Sequence, residues 1–252
     1  MKKALAILVV IAFVAALSSA ATYQPSKDTF YRYDSNLDGQ GAGNDTFGGA
    51  TDQRANKGWQ DGFFMDFDRA TILADITTAL GRAPVAADFT DGTVAVTLAL
   101  TGNTAEGSLV GANFTPQYWT STTPWTEGGA TFKFADRATS TPWNTTGASM
   151  RDCPVAAAGT TQAWAAADFQ YNTFAIDANV ASGFLFSEAA GVALQMRGDS
   201  WFNGHVFAKE GTVTLFGQTN YAGPVLGVTV VPEPCSMLLI AAGAAAMIRR
   251  RK

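Results

Sequence analysis

A short acidic motif near the start of the chain has the composition of a calcium-binding loop. Asp34, Asn36 and Asp38 place oxygen ligands at alternate positions, a glycine follows them, and Asp45 stands at position twelve. Such oxygens converge on one Ca²⁺, and the glycine permits the sharp turn. An EF-hand would carry glutamate at position twelve, and a strand-like stretch, not a helix, precedes this motif. The motif therefore predicts a calcium site that braces a loop in a β context, or else a polar turn between strands.

Several tryptophans are candidates for sugar contact, because sugars stack on exposed aromatic faces. Trp119 and Trp143 lie among threonine and proline residues, which favours exposure, and Trp201 is the third candidate. The alternative is packing in the core, since aromatic side chains supply much of the buried area of a β-protein. We favour core packing for Trp125.

The residues that could support catalysis are few, and none is predicted to be catalytic. His205 is the single histidine, so a His-rich zinc site is excluded and a Ser-His-Asp arrangement would have to use this residue. Asp66 and Asp68 could imitate a glycosidase pair, but they fit solvent-facing carboxylates on one strand face more simply. A carbohydrate-active enzyme, a lyase or a hydrolase, is the alternative that such carboxylates leave open. Glu127, Glu188 and Glu210 are dispersed in sequence, and folding could still bring two of them together.

The N-terminal residues 1–21 have the order of features of a secretory signal peptide. Lys2 and Lys3 precede an apolar run over Ala4–Leu17, and small residues follow at 18–21. We expect signal peptidase to cut after Ala20 or Ala21, once the secretion machinery has exported the chain.

The C-terminal residues 232–252 have three parts: Pro232-Glu233-Pro234, an apolar run over 237–248, and four cations. As a helix the apolar run would be about 18 Å long, which is short of the roughly 30 Å hydrocarbon core and suits transient membrane association. The tail resembles the PEP-CTERM sorting signal of bacterial exported proteins. That resemblance implies cutting at the Pro-Glu-Pro element by exosortase, a membrane protease. The alternative is a plain membrane tail that is not processed.

The body between these segments, residues 22–231, is predicted to be one acidic domain. It retains 11 basic and 20 acidic residues, a net charge near −9. Binding to nucleic acid needs clustered cations, so this class of partner is excluded. Cys153 stands alone in the body and Cys235 lies in the tail, so we expect no disulfide framework. A bridge between Cys153 and Cys235 could form only if the tail is retained.

Hydrophobic alternation predicts an all-β fold, a single β-sandwich or jelly roll. Val94, Val96, Leu98 and Leu100 alternate with smaller or polar residues, and the connecting segments are rich in Gly, Asn, Asp and Thr. One short helix or turn is expected over 71–80, and residues 156–167 are expected to be a loop. Further alternating runs lie at 63–67, 132–134, 174–176, 192–196, 213–215 and 226–230.

The body also resembles the DNRLRE-domain group of bacterial secreted β-sandwiches. The similarity rests on an ordered series: Asp28-Thr29-Phe30, the Phe-Asp strand at 62–68, Trp125-Thr126-Glu127 followed by 130–132, and Pro224-Val225-Leu226. Phe207-Ala208-Lys209-Glu210 resembles a late segment of that family, but Lys209 stands where the family usually has arginine, and the loop over 211–223 is long. The resemblance implies a module similar to carbohydrate-binding domains.

Together these patterns favour a secreted, non-enzymatic protein of the cell surface or extracellular matrix that associates with exopolysaccharide. The alternatives are the carbohydrate-active enzyme named above and a purely structural surface or biofilm component.

Overall fold

The computed structural model describes residues 18–31, 52–55, 62–104, 109–131, 134–136, 138–143, 155–198, 204–207, 213–215, 218–221 and 223–231. The predicted calcium loop at 34–45, Trp201 and the tail from residue 232 lie outside this part of the chain. Within it the fold is mostly β, and its strand pairs are antiparallel.

The described elements follow one another as sixteen short strands and three helices. The strands are β1 (Ser19–Tyr23), β2 (Lys27–Tyr31), β3 (Asp52–Ala55), β4 (Gly62–Asp66), β5 (Val94–Thr104), β6 (Asn113–Ser121), β7 (Phe134–Asp136), β8 (Thr141–Pro142), β9 (Val155–Ala158), β10 (Gln162–Ala163), β11 (Tyr171–Ile176), β12 (Gly191–Gly198), β13 (Gly204–Phe207), β14 (Val213–Leu215), β15 (Gln218–Tyr221) and β16 (Val225–Val230). The helices are α1 (Arg69–Leu80), α2 (Ala86–Thr90) and α3 (Ala178–Leu185).

The first sheet is built around β5, the longest strand. Its order is β1-β16-β5-β13-β3, with β11 also paired to β5. β16 therefore lies between two neighbours, β5 on one side and β1 on the other. In the β1–β16 pair, Ser19 stands opposite Val230 and Tyr23 opposite Leu226.

The second sheet is built around β6 and β12, which pair over eight residues each. Its order is β10-β6-β12-β4-β2, with β9 also paired to β6. Every residue of β12 except Arg197 is buried, so both faces of this strand are covered.

One hydrophobic cluster takes side chains from both large sheets. The alternate residues of β5 named above, from Val94 to Leu100, are all buried in it, as are Val192 and Leu194 of β12. Alternation places every second side chain on one face of a strand, so this pattern forms the shared core. The antiparallel, β-rich fold is confirmed, and the assignment to a single sandwich or jelly roll stays a prediction.

Helix α1 confirms the predicted helix at 71–80 and begins two residues earlier. The Asp68 carboxylate accepts a hydrogen bond from the Thr71 backbone N–H at 3.1 Å and so caps the first turn. Gly81 ends the helix in the left-handed conformation, with φ at 72°. Ile72 and Ile76 bury the inner side of the helix in the core.

Three expectations need correction or a finer boundary. The fold includes helices α2 and α3, so it is mostly β and not all-β. Residues 156–167 are partly strand, because β9 and β10 pair with β6 there. The boundary between predicted signal peptide and body falls inside β1.

Candidate functional site

An aromatic cluster covers the outer face of the second sheet. Phe64 lies at its centre, and the ring centroids of Trp119, Trp125 and Trp143 are 5.3, 4.9 and 5.7 Å from that of Phe64. The three interplanar angles are between 86° and 90°, so the rings meet edge to face. We call these four residues the outer aromatic cluster.

The sheet and the segment that follows β6 each supply two members of this cluster. Phe64 stands on β4 and Trp119 on β6, while β12 runs between them and places the small side chain of Ala193 opposite Trp119. Trp125 and Trp143 come from the segment between residues 122 and 143, and the described residues of this segment cross over this face. Because Ala193 is small, the large rings on either side can approach each other.

Buried hydrogen bonds hold two of the indoles in place. The Trp125 Nε1–H donates to the Val192 carbonyl at 3.1 Å, and the Trp143 Nε1–H donates to the Thr131 carbonyl at 2.8 Å. The Ser121 hydroxyl also donates to the Trp143 carbonyl. The Nε1–H of Trp119 is buried and has no hydrogen-bond partner within the described residues. The Trp125 indole and the Trp143 carbonyl thus attach the segment to β12 and β6. The bond from Trp143 to Thr131 lies within the segment.

The expected exposure of two glycan candidates is wrong. Trp119 is 2% exposed and Trp143 is fully buried, and their ring centroids lie 5.1 Å apart. Trp125 is buried too, which confirms the core-packing interpretation. The missed signal is Phe63-Phe64-Met65: three consecutive large apolar residues indicate a strand buried on both faces.

Two cations and a carboxylate lie at the rim of the outer aromatic cluster. The Lys27 Nζ is 3.4 Å from Asp66 Oδ2 and donates to the Trp125 carbonyl at 3.2 Å, and it lies 4.4 Å from the Trp125 ring centroid. Arg69 Nε approaches the other oxygen of Asp66 at 3.8 Å. Burial raises the pKa of Asp66, while Lys27 and Arg69 oppose that shift. This arrangement fastens β2, β4 and the covering segment together.

The two candidate carboxylates serve different structural purposes. Asp66 is partly buried and ion-paired, which corrects its prediction as a solvent-facing side chain. Asp68 is exposed, as predicted, but lies beyond β4 and caps α1. The hydrogen bonds from Thr71 hold the pKa of Asp68 below its usual range. A carboxylate occupied as a helix cap is a poor partner for general acid-base catalysis.

The predicted calcium ligands and the side-chain surroundings of His205 lie outside what the structure describes. Within the described ranges, no group of three or more His, Cys, Asp or Glu side chains could hold a metal ion. The loop with Asp34, Asn36, Asp38 and Asp45 lies outside those ranges, so its calcium site stays a prediction. His205 stands on β13, opposite Arg54 on β3 and Asn103 on β5.

Both ends of the described chain meet at one corner of the first sheet. Ser19, the first residue of β1, stands opposite Val230, the last residue of β16. The Val231 N–H donates to the Thr93 carbonyl at 2.8 Å, while its side chain is exposed. The Tyr23 hydroxyl donates to Asp75 on α1 at 2.9 Å and anchors the other end of β1.

The segment that leaves this corner matches a known motif. Residues 230–252 match the PEP-CTERM protein-sorting motif. The chain carries an exosortase sorting signal. The signal implies an exported protein that exosortase, a membrane protease, processes and that becomes attached to the cell surface.

The PEP-CTERM motif overlaps the fold by a single strand residue, Val230, so its Pro-Glu-Pro element begins two residues beyond β16. No curated protein matches the chain. The DNRLRE resemblance of the body therefore stays a prediction. Among the described residues, no helix is long and apolar enough to cross a membrane.

Proposed function

We propose that the mature body is a non-enzymatic structural component of the bacterial cell surface or extracellular matrix. The observation that supports this proposal is the outer aromatic cluster. Its three tryptophans are buried against Phe64, and the indoles of Trp125 and Trp143 also bind backbone carbonyls, so they stabilise the body and leave no stacking face for a sugar. The sorting motif directs the protein to the cell surface. In the proposed export route, signal peptidase also removes residues 1–21.

Association with exopolysaccharide is the second part of this proposal, and calcium is the means we favour. The mature body has a net charge near −9, which suits divalent cations better than direct contact with an anionic polymer. A Ca²⁺ held by Asp34, Asn36, Asp38 and Asp45 would offer open positions to carboxylates or hydroxyls of a glycan. Trp201 remains the aromatic candidate for glycan contact.

The deciding experiment measures binding of the mature protein, purified from secreting cells, to a polysaccharide array with calcium and then with chelator. The test variant is Asp34→Asn with Asp38→Asn. The matched control is Asp91→Asn with Glu188→Gln, which removes the same charge elsewhere.

The three hypotheses predict different results on this array. Calcium-dependent binding that only the test variant loses supports a calcium-bridged matrix protein. Absence of binding in both conditions leaves the structural component without a glycan partner. Release of oligosaccharides from the array would instead support the alternative of a lyase or hydrolase, and would contradict a non-enzymatic body.

A further inference from the structure

The last strand of the body has hydrogen-bonding neighbours on both sides. β16 pairs with β5 from Val225 to Val230 and with β1 from Leu226 to Val230. The Val231 N–H is also occupied, by the Thr93 carbonyl. A protein that grips the backbone just before the sorting element therefore finds no open edge on this strand.

The sorting element itself offers little backbone for recognition. Pro232 and Pro234 have no N–H, so an extended-strand interaction must draw its donors from Glu233 or from residues before Pro232. Val230 is two residues from Pro232, or roughly 7 Å in an extended chain. A protease acting at Pro232-Glu233-Pro234 is consequently brought against the end of β16.

The predicted N-terminal cut would open one side of this strand end. Cutting after Ala20 removes the residues opposite Thr229 and Val230, and cutting after Ala21 also removes the residue opposite Val228. The rest of β1 stays attached, because Tyr23 still faces Leu226 and still binds Asp75. The β5 side remains closed, so the β1 side is where an edge can appear.

We propose that the edge of β16 at Val228–Val230, uncovered when signal peptidase cuts after Ala21, is the docking surface for an extended segment of the sorting protease. That segment adds to the first sheet as a strand and takes the place of Ser19–Ala21. N-terminal processing therefore precedes C-terminal processing. This proposal rests on the sorting function and on the predicted signal-peptide cut.

The test uses three full-length chains in cells that make exosortase. The first is the wild type. In the covered variant, a second copy of residues 1–21 is placed directly before Ser18, so that signal peptidase cuts at the end of this copy and Ser18 becomes the first residue. The substitutions Ala20→Val and Ala21→Val, in the residues that follow Ser18, prevent cutting at the original position. Its mature form keeps a complete β1. The matched control has the same added length but carries Ser19→Pro and Ala21→Pro, which removes strand donors at those positions.

Pulse-chase labelling and mass spectrometry of the C-terminus measure the rate at which the tail is lost. We expect the covered variant to lose its tail about tenfold more slowly than the wild type. This ratio of rates corresponds to a difference of about 1.4 kcal/mol in the activation free energy. The proline control should match the wild type. Equal rates for all three chains would overturn the proposal while leaving sorting intact. If the wild type itself keeps its tail, the sorting function fails and the proposal falls with it.

Discussion

The rings of Phe64 and Trp125 meet edge to face with 4.9 Å between their centroids, and this contact joins the second sheet to the segment that covers it. Phe64 stands on a strand, whereas Trp125 comes from a region with turns and short strands. An irregular segment of this kind contributes few backbone ladder hydrogen bonds. Its position over the sheet therefore depends on aromatic packing, on the hydrogen bond from the Trp125 indole to the Val192 carbonyl, and on the bond from the Ser121 hydroxyl to the Trp143 carbonyl.

Trp143→Phe should destabilise the body more than Trp119→Phe. Both changes shrink a buried ring by a similar volume, but only the first breaks a buried hydrogen bond, the one to the Thr131 carbonyl. The added loss should be about 1–3 kcal/mol in the free energy of unfolding. Urea denaturation followed by circular dichroism measures it. An equal loss of unfolding free energy in both variants would show that this hydrogen bond makes no net contribution to stability.

Gly191→Ala should destabilise the body, whereas Gly128→Ala should have little effect. A Cβ at position 191 would collide with the backbone carbonyl of Thr123, and one at position 128 would meet nothing within 4 Å. Overpacking against backbone typically costs about 1–3 kcal/mol. Thermal unfolding of the two variants checks the difference. A Gly191→Ala protein as stable as its control would mean that the covering segment moves away easily.

Asp88→Asn should weaken the fold at neutral pH and much less in acid. Hydrogen bonds from Arg82 at 2.6 and 2.8 Å, and from the Val85 N–H, hold the pKa of buried Asp88 below its ordinary value of 3.8. A depressed carboxyl pKa stabilises the fold above the ordinary value, and this contribution disappears as the pH falls through the folded-state pKa.

We expect Asp88→Asn to lower the free energy of unfolding at pH 7 by about 1–3 kcal/mol. The gap to the wild type should narrow below about pH 4. Urea titrations across this range measure the gap, and Asp91→Asn on the exposed surface is the control. A gap that does not change with pH would show that the ionised carboxylate is not what stabilises α2.

Tyr23→Phe should remove part of the alkaline instability of the protein. Burial and the hydrogen bond to Asp75 raise the pKa of Tyr23 from 10.0 to about 12. The neutral phenol is thus favoured in the folded state, so this contribution is complete below pH 10 and is lost between pH 10 and 12. Unfolding of the wild type should become easier across that window, and the variant should show a smaller change. If the stability of the two proteins changed equally with pH across this window, Tyr23 would not be the group responsible.

Removal of residues 232–252 should leave the body folded, whereas removal from Val228 onward should not. β16 ends at Val230, so the shorter deletion keeps every described strand pair. The longer deletion removes Val228 and Val230, both of them buried, and burying such a side chain is worth about 1.5–3 kcal/mol. Melting temperatures of the two truncated proteins decide the matter. Equal melting temperatures would show that the end of β16 is not needed for the stability of the fold.

Elements with a local signature could be predicted from the sequence, and elements that depend on distant partners could not. β5 shows period-two alternation, and α1 lacks Gly and Pro between its cap and Gly81, so both were found. β6 was not predicted, because it contains Pro116 and is buried on parts of both faces. Helix α3 was missed as well, since Gly183, the β-branched Val180 and the aromatic Phe184 weaken its helical signal.

The same contrast applies to the candidate site. The tail was identified correctly because its three parts are contiguous and need no fold to be read. The exposure of Trp119 and Trp143 was misjudged because their polar sequence neighbours say nothing about residues that cross over them. β1 was hidden inside a stretch that fits a cleavage region, and its partner is about two hundred positions away in the chain.

The interior position of β16 also determines how the body would respond to tension. When a surface protein is held at its C-terminus and its body is pulled away, the force enters the fold at Val231 and runs along β16. When the force acts along the strands, paired strands must slide past each other to separate. The backbone hydrogen bonds from β16 to β5 and to the remaining part of β1 therefore share the load. A strand at the rim of the sheet would instead have one neighbour to detach from. Placing the C-terminal strand inside the sheet thus makes the fold resistant to shear from its own attachment point.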